Sequence, residues 1–185
     1  ADLQSHARMR DYSEAFFWLT DAKIINCCYN STEPSIGLKL NEERTTLKCY
    51  MGDTGLLISH AFDERGIVTS ELYQKLMFDK LEVNEGMLVE NIVAQMLVAS
   101  GHKLFYHTWR SETSNHNYDV GFLLSKGTKI RPIEVKSSGY KTHKSLDEFC
   151  RKYSGNVSDR YLLYTKDLRR DEQTLLLPVM LTMFL

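Results

Sequence analysis

The 185-residue sequence predicts an α/β fold in which a mixed central sheet is flanked by helices. Three observations predict it. Residues 85–100 have the apolar spacing of a long buried helix, residues 118–138 have the pattern of a β-hairpin, and an apolar strand pattern near residue 160 follows a second helix. From residue 85 onward the elements therefore run helix, strand, strand, strand, helix, strand, an αβββαβ order. A strand meander followed by a helical crossover is typical of a mixed sheet with helices packed on it.

The composition is that of an ordinary globular protein. Hydrophobic residues make up 43% of the chain and charged residues 25%, which is enough apolar material for a proper core. The net charge of -1 gives no global basic field that would indicate nucleic acid, although a local groove can still be basic. Without a signal peptide or an apolar run near the length of a membrane span, we expect a cytoplasmic protein that has no membrane partner. Because the chain lacks an initiator Met, we also expect it to be a fragment of a longer protein.

The N-terminal 60 residues (1–60) predict a helix followed by a two-stranded ribbon. The helix begins near Asp11 and carries one apolar stripe, and residues 23–29 and 45–51 form the strands. This order resembles the last part of a winged-helix domain, for which we expect a packing role rather than DNA binding. Asp53 is placed to cap a short helix over 54–61, and connecting helices, one of them beginning at Ser70, occupy residues 61–84.

The segment 85–185 contains the predicted αβββαβ unit. In the helix over 85–100 one apolar stripe is formed by Leu88, Ile92, Gln95, Met96 and Ala99, and it is widened by Val89, Val93 and Leu97. Gly101 follows where a C-terminal glycine belongs. Glu90 lies on the flank of the stripe, and the sequence leaves open whether it is a surface acid or a site acid. Further along, Ser145 and Glu148 have the spacing of a capping box that begins the second helix.

The hairpin carries the candidate catalytic and metal-binding residues. Strand alternation places Glu134 and Lys136 on one face of the second strand, and it places Asp119, Gly121 and Leu123 on one face of the first. If the register brings these faces together, two carboxylates can hold a Mg²⁺ ion while a lysine positions or deprotonates an attacking water. The alternative is a cross-strand ion pair on a solvated face, which contributes little.

The order of elements and the motifs together resemble the PD-(D/E)XK nuclease superfamily. More closely, residues 12–185 are similar to the C-terminal nuclease-like domain, a domain of unknown function, of a family of prokaryotic AAA+-type ATPases. The marks of this resemblance are residues 50–56 (YMGDTGL), Gly86 with Glu90-Asn91, residues 118–124 (YDVGFLL) and residues 133–137 (IEVKS). The resemblance implies a restriction-endonuclease-like core and an N-terminal ATPase domain that is absent here. The chain itself has no P-loop motif.

The resemblance also assigns roles to residues of this chain. It implies that Asp119 and Glu134 bind the metal together with the backbone carbonyl of Val135, that Lys136 orients or activates water, and that Glu90 completes the outer shell. One position departs from the family pattern, in which the strand usually reads Glu-Val-Asp-Phe-Leu. The metal-binding Asp of that pattern falls on Gly121, which offers no ligand, so Asp119 substitutes for it only if the strand bulges.

Three functions follow as expectations. The first is an accessory domain of an AAA+-type ATPase with a degenerate acidic site, serving nucleic-acid or partner binding. The second is an active Mg²⁺-dependent endonuclease that hydrolyses phosphodiesters. The third is a protein-interaction module with no nucleic-acid role. A basic groove beside Glu134, supplied by Lys126, Lys129, Lys141 and Lys144, would favour the first two, and its absence would favour the third.

The four cysteines, Cys27, Cys28, Cys49 and Cys150, show no metal-ligand spacing. We therefore expect them to be free thiols that form no disulfide in the native protein.

Overall fold

A computed structural model describes residues 9–62, 85–112, 115–138 and 142–185. Its helices are α1 (Ser13–Asp21), α2 (Thr54–Phe62), α3 (Glu85–Ala99) and α4 (Lys144–Lys152). Its strands are β1 (Ile25–Ser31), β2 (Glu42–Met51), β3 (Leu104–Arg110), β4 (Asn117–Lys126), β5 (Lys129–Val135), β6 (Arg160–Tyr164), β7 (Arg169–Asp171) and β8 (Thr174–Pro178). Short 3₁₀ turns lie at Met9–Tyr12, Leu38–Asn41 and Val179–Phe184. From Glu85 the described elements begin in the predicted order, helix, three strands, helix and strand.

All eight strands form one mixed sheet in the order β2-β1-β3-β4-β5-β6-β8-β7. The β1–β2 and β4–β5 pairs are antiparallel, whereas β1–β3, β5–β6 and β6–β8 are parallel. The predicted N-terminal ribbon is therefore the edge of the same sheet that holds the hairpin, because β1 pairs directly with β3. The fold class is thus mixed α/β. The winged-helix interpretation of residues 1–60 stays a prediction, as does the restriction-endonuclease-like core.

The core lies on both faces of the sheet. On one face α3 and the C-terminal 3₁₀ turn cover a cluster that includes Val93, Leu97, Phe122 and Ile133. On the other face α4 covers a second cluster, which includes Phe105, Val120, Leu123, Ile130 and Phe149. We call these the α3 face and the α4 face.

Several local predictions hold and have clear physical causes. The hairpin turns at Lys126–Lys129, where Gly127 has the positive φ of 57° that a tight turn requires. Asp53 accepts a hydrogen bond from the Leu56 backbone N–H at 2.9 Å, as an N-cap should. Gly101 has a φ of 89° just after α3, which matches the left-handed end of a helix.

Other local predictions were wrong. The buried residues of α3 are Asn91, Val93, Ala94 and Leu97. Val93 and Leu97 belong to the predicted widened stripe, but Asn91 and Ala94 were predicted on its flank, so the packed face is rotated from the Leu88–Ile92–Met96 line. The predicted stripe of α1 buries no residue. Ser145 lies inside α4 rather than at its cap: the cap residue is His143, whose side chain makes no capping hydrogen bond, so the predicted capping box does not form. The short edge strand β7 was not predicted, and the helix predicted from Ser70 lies outside the described residues.

Candidate functional site

A bulge in β4 decides which way Asp119 points. Along the β3–β4 pair, Phe105 is opposite Leu123 but His107 is opposite Val120, so β4 contains one extra residue there. An extra residue reverses the alternation of faces. Leu123 consequently packs on the α4 face, whereas Asp119 reaches a cluster beside α3. The predicted sharing of one face by Asp119 and Leu123 is therefore wrong, because the bulge intervenes.

Asp119 and Glu90 are brought together by a lysine. Lys48 Nζ lies 2.7 Å from Asp119 Oδ2 and 3.7 Å from Glu90 Oε1. It also lies 4.8 Å from the centre of the Tyr106 ring, a distance at which a cation is attracted to the ring face. Tyr50 Oη donates a hydrogen bond to Glu90 Oε1 at 2.6 Å. We call Lys48, Tyr50, Glu90 and Asp119 the lysine-bridged cluster.

The electrostatics of the cluster keep Lys48 charged. Burial alone lowers the pKa of Lys48, but the nearby Asp119 and Glu90 carboxylates outweigh burial, and the net pKa is raised. Burial, followed by the Glu90 carboxylate, raises the pKa of Tyr50. Tyr50 is therefore a neutral donor at physiological pH, and Lys48 is a full positive charge between two carboxylates.

Helix α3 is fixed to β2 by Asn91, which positions Glu90 next to it. Asn91 is buried, accepts a hydrogen bond from the Met51 N–H at 2.8 Å and donates to the Met51 carbonyl at 3.2 Å. It also donates to Thr54 Oγ1 at 2.9 Å. A side-chain amide can satisfy both backbone groups of one residue in this way. The buried Asn explains why the packed face of α3 includes a polar residue.

Glu134 and Lys136 form a separate pair. Their side chains are 2.8 Å apart, from Lys136 Nζ to Glu134 Oε1, and the Glu134 side chain is only 12% exposed. Ile133 and Val135 pack into the core of the α3 face, so alternation along β5 places Glu134 on the opposite face from these neighbours. Burial raises the pKa of Glu134, against the lowering effect of Lys136. Its second oxygen, Oε2, is buried and has no hydrogen-bond partner among the described residues.

The four predicted site residues thus form two neighbouring groups. Glu90 and Asp119 belong to the lysine-bridged cluster, and Glu134 and Lys136 pair with each other. No hydrogen bond or ion pair of the described residues joins the two groups. Asp119 and Lys48 nevertheless act on Glu134 through space, Asp119 raising its pKa and Lys48 lowering it. Whether the four act together stays a prediction.

Gly121 lies beside the cluster. A Cβ built on Gly121 would lie 3.6 Å from the Ile133 carbonyl oxygen and 3.9 Å from Glu90 Oε1, both ordinary contact distances. A side chain therefore fits at position 121 and would point toward Glu90. The absence of a carboxylate here is the main chemical difference from the pattern that the sequence resembles.

The arrangement does not fit a Mg²⁺ site as it stands. A protein Mg²⁺ site presents carboxylate oxygens to the ion in near-octahedral geometry. Here the ammonium of Lys48 lies between the two carboxylates of the cluster, and Glu134 is engaged by Lys136. Within the ranges that the structure covers, no group of three or more His, Cys, Asp or Glu residues could hold a metal ion.

Sequence reasoning missed Lys48 and Tyr50. A signal was present, because both alternate on one face of the predicted strand over 45–51, where a lysine beside buried residues needs a partner. The partner itself could not be identified, since Lys48 and Asp119 are 71 residues apart and meet only across the strand order of the sheet.

Two of the four lysines that were expected to supply a basic groove beside Glu134 lie away from it. Lys126 and Lys129 lie at the hairpin turn, at the opposite end of β5 from Glu134, and Lys126 pairs with Asp159 at 2.9 Å. Lys144 is exposed at the start of α4, and Lys141 lies outside the described residues.

Comparison with known families adds one assignment. The model of a family described as "Domain of unknown function (DUF4143)" matches residues 85–182, slightly more than half of the chain. The chain belongs to this family. The matched part of the DUF4143 protein includes Glu90, Asp119, Glu134 and Lys136, whereas Lys48 and Tyr50 precede it. No curated protein matches the chain.

Among solved structures, one shows a weak similarity to this chain. It is the crystal structure of protein VC1899 from Vibrio cholerae, with a TM-score of 0.36 and 12% sequence identity. The similarity covers 95% of this chain and 48% of that one, so the chain spans about half the length of VC1899. A likeness this weak carries no inference about function. In the described part of the chain, every helix is too short or too polar to span a membrane.

Proposed function

We propose that this protein is a nuclease-like accessory domain of an AAA+-type ATPase that does not hydrolyse phosphodiesters and acts by binding a protein partner. The ATPase domain of the parent chain is the partner that the sequence resemblance suggests. The observation that carries the proposal is the position of Lys48, whose ammonium lies between Glu90 and Asp119.

An ammonium in this position opposes metal-dependent catalysis. Two unit charges 4 Å apart interact by about 4 kcal/mol at an effective dielectric constant of 20, and a divalent ion doubles that repulsion from Lys48. Mg²⁺ would therefore have to displace Lys48 from both carboxylates. A lysine also cannot lower the pKa of a bound water as a metal ion does. The cluster is better suited to holding β2, β4 and α3 together than to cleaving a bond.

The distribution of charge favours a protein partner over nucleic acid. Lys48 and Lys136 are engaged by carboxylates, and Lys126 and Lys129 lie at the far end of the hairpin. Phosphate-backbone binding requires several unpaired cations along one surface, each neutralising a phosphate. In the described part of the chain, none of these four lysines is an unpaired cation beside the lysine-bridged cluster.

Mg²⁺-dependent endonuclease activity is the second candidate, and one observation favours it. Glu134 Oε2 is buried and, within the part of the chain that the structure describes, has no hydrogen-bond partner, which is costly unless something binds there. Glu134 and Lys136 also keep the Glu-x-Lys spacing that such chemistry uses.

Three measurements on one preparation separate the candidates. Cleavage of single- and double-stranded DNA and RNA is measured with Mg²⁺ or Mn²⁺, in the wild type and in Glu134→Gln. Binding of the same nucleic acids without metal is measured by fluorescence anisotropy at two salt concentrations. Binding to the separately expressed ATPase part of the parent chain is measured by calorimetry.

We expect no cleavage, weak and fully salt-sensitive nucleic-acid binding, and a saturable complex with the ATPase part. Metal-dependent cleavage that Glu134→Gln abolishes would establish the endonuclease instead. Tight nucleic-acid binding that persists at 200 mM salt, without a complex with the ATPase part, would overturn the protein-partner proposal.

A further inference from the structure

Two cysteines face each other at the edge of the sheet. Cys27 of β1 is directly opposite Cys49 of β2 in the antiparallel ladder. Residues opposite each other in such a ladder have Cα atoms about 4.5–5.5 Å apart, within the 4.4–6.8 Å range of disulfides. Cys49 is exposed and Cys27 is half-buried, so the pair is accessible to small molecules. All four cysteines are free thiols in this structure.

The surroundings of Cys27 favour its thiolate. The Cys49 thiol donates a hydrogen bond to the Cys27 sulfur and, despite opposing desolvation, lowers the pKa of Cys27 to about 6. Thr20 Oγ1 lies 3.4 Å from Cys27 Sγ and, with Tyr29, contributes in the same direction. The same hydrogen bond raises the pKa of Cys49. The pair therefore contains one nucleophile and one protonated partner beside it.

The other two cysteines provide a contrast. Cys28 is fully buried on the α3 face, and burial raises its pKa. Cys150 belongs to α4, is half-buried, and has its pKa raised by burial as well. Thiols in apolar surroundings are inert, whereas hydrogen-bonded and accessible thiolates react.

We propose that Cys27 and Cys49 are a modification site at which a hydroperoxide reversibly forms a cross-strand disulfide. The Cys27 thiolate attacks the terminal oxygen of the hydroperoxide, so that an S–O bond forms and the O–O bond breaks. The leaving alkoxide or hydroxide takes a proton, and Cys27 becomes a sulfenic acid. Cys49, on losing its proton, then attacks the Cys27 sulfur and releases water as the S–S bond forms.

The oxidation of the two thiols by a hydroperoxide balances in atoms and electrons. Two thiols and one hydroperoxide give one disulfide, one water and one alcohol, or a second water when the oxidant is hydrogen peroxide. The sulfurs lose two electrons and the peroxide gains them. A dithiol reductant reverses the reaction by thiol–disulfide exchange. The disulfide would tie β1 to β2 between Lys48 and Tyr50, the two β2 residues of the lysine-bridged cluster.

The test begins with the wild-type protein and one equivalent of hydrogen peroxide, followed by peptide mass mapping under non-reducing conditions. We expect one intramolecular Cys27–Cys49 disulfide that dithiothreitol removes. In Cys49→Ser the hydroxyl keeps the hydrogen bond but cannot resolve the sulfenic acid, so dimedone should label Cys27. In Cys49→Ala the donor is lost as well.

The effect of that donor can be predicted. At pH 6 a thiol of pKa about 6 is half ionised, against about 0.3% for an ordinary cysteine of pKa 8.5, a ratio of about 150. The less basic thiolate is also intrinsically less nucleophilic, which reduces this rate advantage by a factor of about 10–18. Alkylation of Cys27 at pH 6 should therefore slow about tenfold in Cys49→Ala, while Cys150→Ser, the matched control, leaves it unchanged.

Three outcomes would overturn the proposal. The first is a disulfide that includes Cys28 or Cys150 or joins two molecules. The second is oxidation of Cys150 as fast as that of Cys27. The third is a Cys27 alkylation rate that does not respond to Cys49→Ala. The mapping on the wild type requires no variant, so it decides the question even if a substitution prevents folding.

Discussion

Replacing Gly121 by Asp should turn the lysine-bridged cluster toward a divalent-metal site. The Cβ of residue 121 would lie 3.9 Å from Glu90 Oε1 and contact no atom closely, so the new carboxylate fits beside Glu90 without moving the backbone. Without metal the added carboxylate repels the existing ones. With a divalent ion the same carboxylates become ligands, so the sign of the effect should reverse.

The magnitude can be worked from this geometry. Two carboxylates about 5 Å apart repel by about 3 kcal/mol at an effective dielectric constant of 20. Glu90 is one-third exposed, and Lys48 compensates part of the charge, so we expect about 1–2 kcal/mol of destabilisation. For a chain of this length that lowers Tm by about 3–6 °C. Mn²⁺ at one hundred times its Kd would add about 2.7 kcal/mol to the variant.

The assay is thermal unfolding of wild type, Gly121→Asp and Gly121→Asn, each with and without Mn²⁺. Asn has nearly the shape of Asp and the same effect on the unfolded chain, but it lacks the charge. Gly121→Asp alone should be destabilised without Mn²⁺ and stabilised by it. If the Asp and Asn variants respond equally to Mn²⁺, position 121 does not face a site that can bind a metal, and the reasoning fails.

Three further predictions concern the groups around this position. Lys48→Met should lower the free energy of unfolding in urea at pH 7 by about 1–2 kcal/mol, because it leaves two carboxylates uncompensated. Lys129→Met, at an exposed site, should lower it by under about 0.5 kcal/mol, and equal losses in the two variants would contradict the prediction. Burial raises the folded-state pKa of Glu134, so the free energy of unfolding of the wild type should fall as pH rises from about 4.3 to that raised pKa. Glu134→Gln should not show this fall. Parallel stability–pH curves for the two proteins would refute the raised pKa of Glu134. Asn91→Ala should lower the free energy of unfolding by about 2–3 kcal/mol in the same assay, since both backbone groups of Met51 lose the side-chain amide as a partner. A loss under about 0.5 kcal/mol would show that water replaces the amide.

The sequence predicted features that depend on neighbouring residues. The hairpin turn at Gly127, the cap at Asp53 and the helix end at Gly101 each require one residue type at one backbone conformation, and all three occur as expected. The order of elements from residue 85 followed for the same reason, because apolar periodicity is a local property.

Features that depend on register could not be predicted. The pairing of β1 with β3 joins segments far apart in the chain, and nothing in either strand identifies its neighbour. The bulge in β4 inserts one residue and reverses the faces of Asp119 and Leu123, although Gly121 gave a hint of it. The link from Glu90 to Asp119 through Lys48 depends on the bulge and on Lys48 reaching across the intervening strands, so strand alternation alone could not place it.

Charge balance connects Lys48 with the glycine at position 121. Glu90 and Asp119 together carry two negative charges, and Lys48 neutralises one of them while Tyr50 donates a hydrogen bond to Glu90. A third carboxylate at position 121 would leave more charge than one ammonium can balance, and a divalent ion would then be the better counter-ion. With Gly121 that need disappears, and a covalently attached cation stabilises the cluster at any metal concentration. A lysine, however, offers three hydrogen-bond donors and no vacant coordination position, so it cannot activate water or bind a phosphoryl oxygen as a metal does. A glycine at position 121 and a lysine at position 48 are therefore consistent with one chemistry, in which a fixed cation compensates the charges of Glu90 and Asp119.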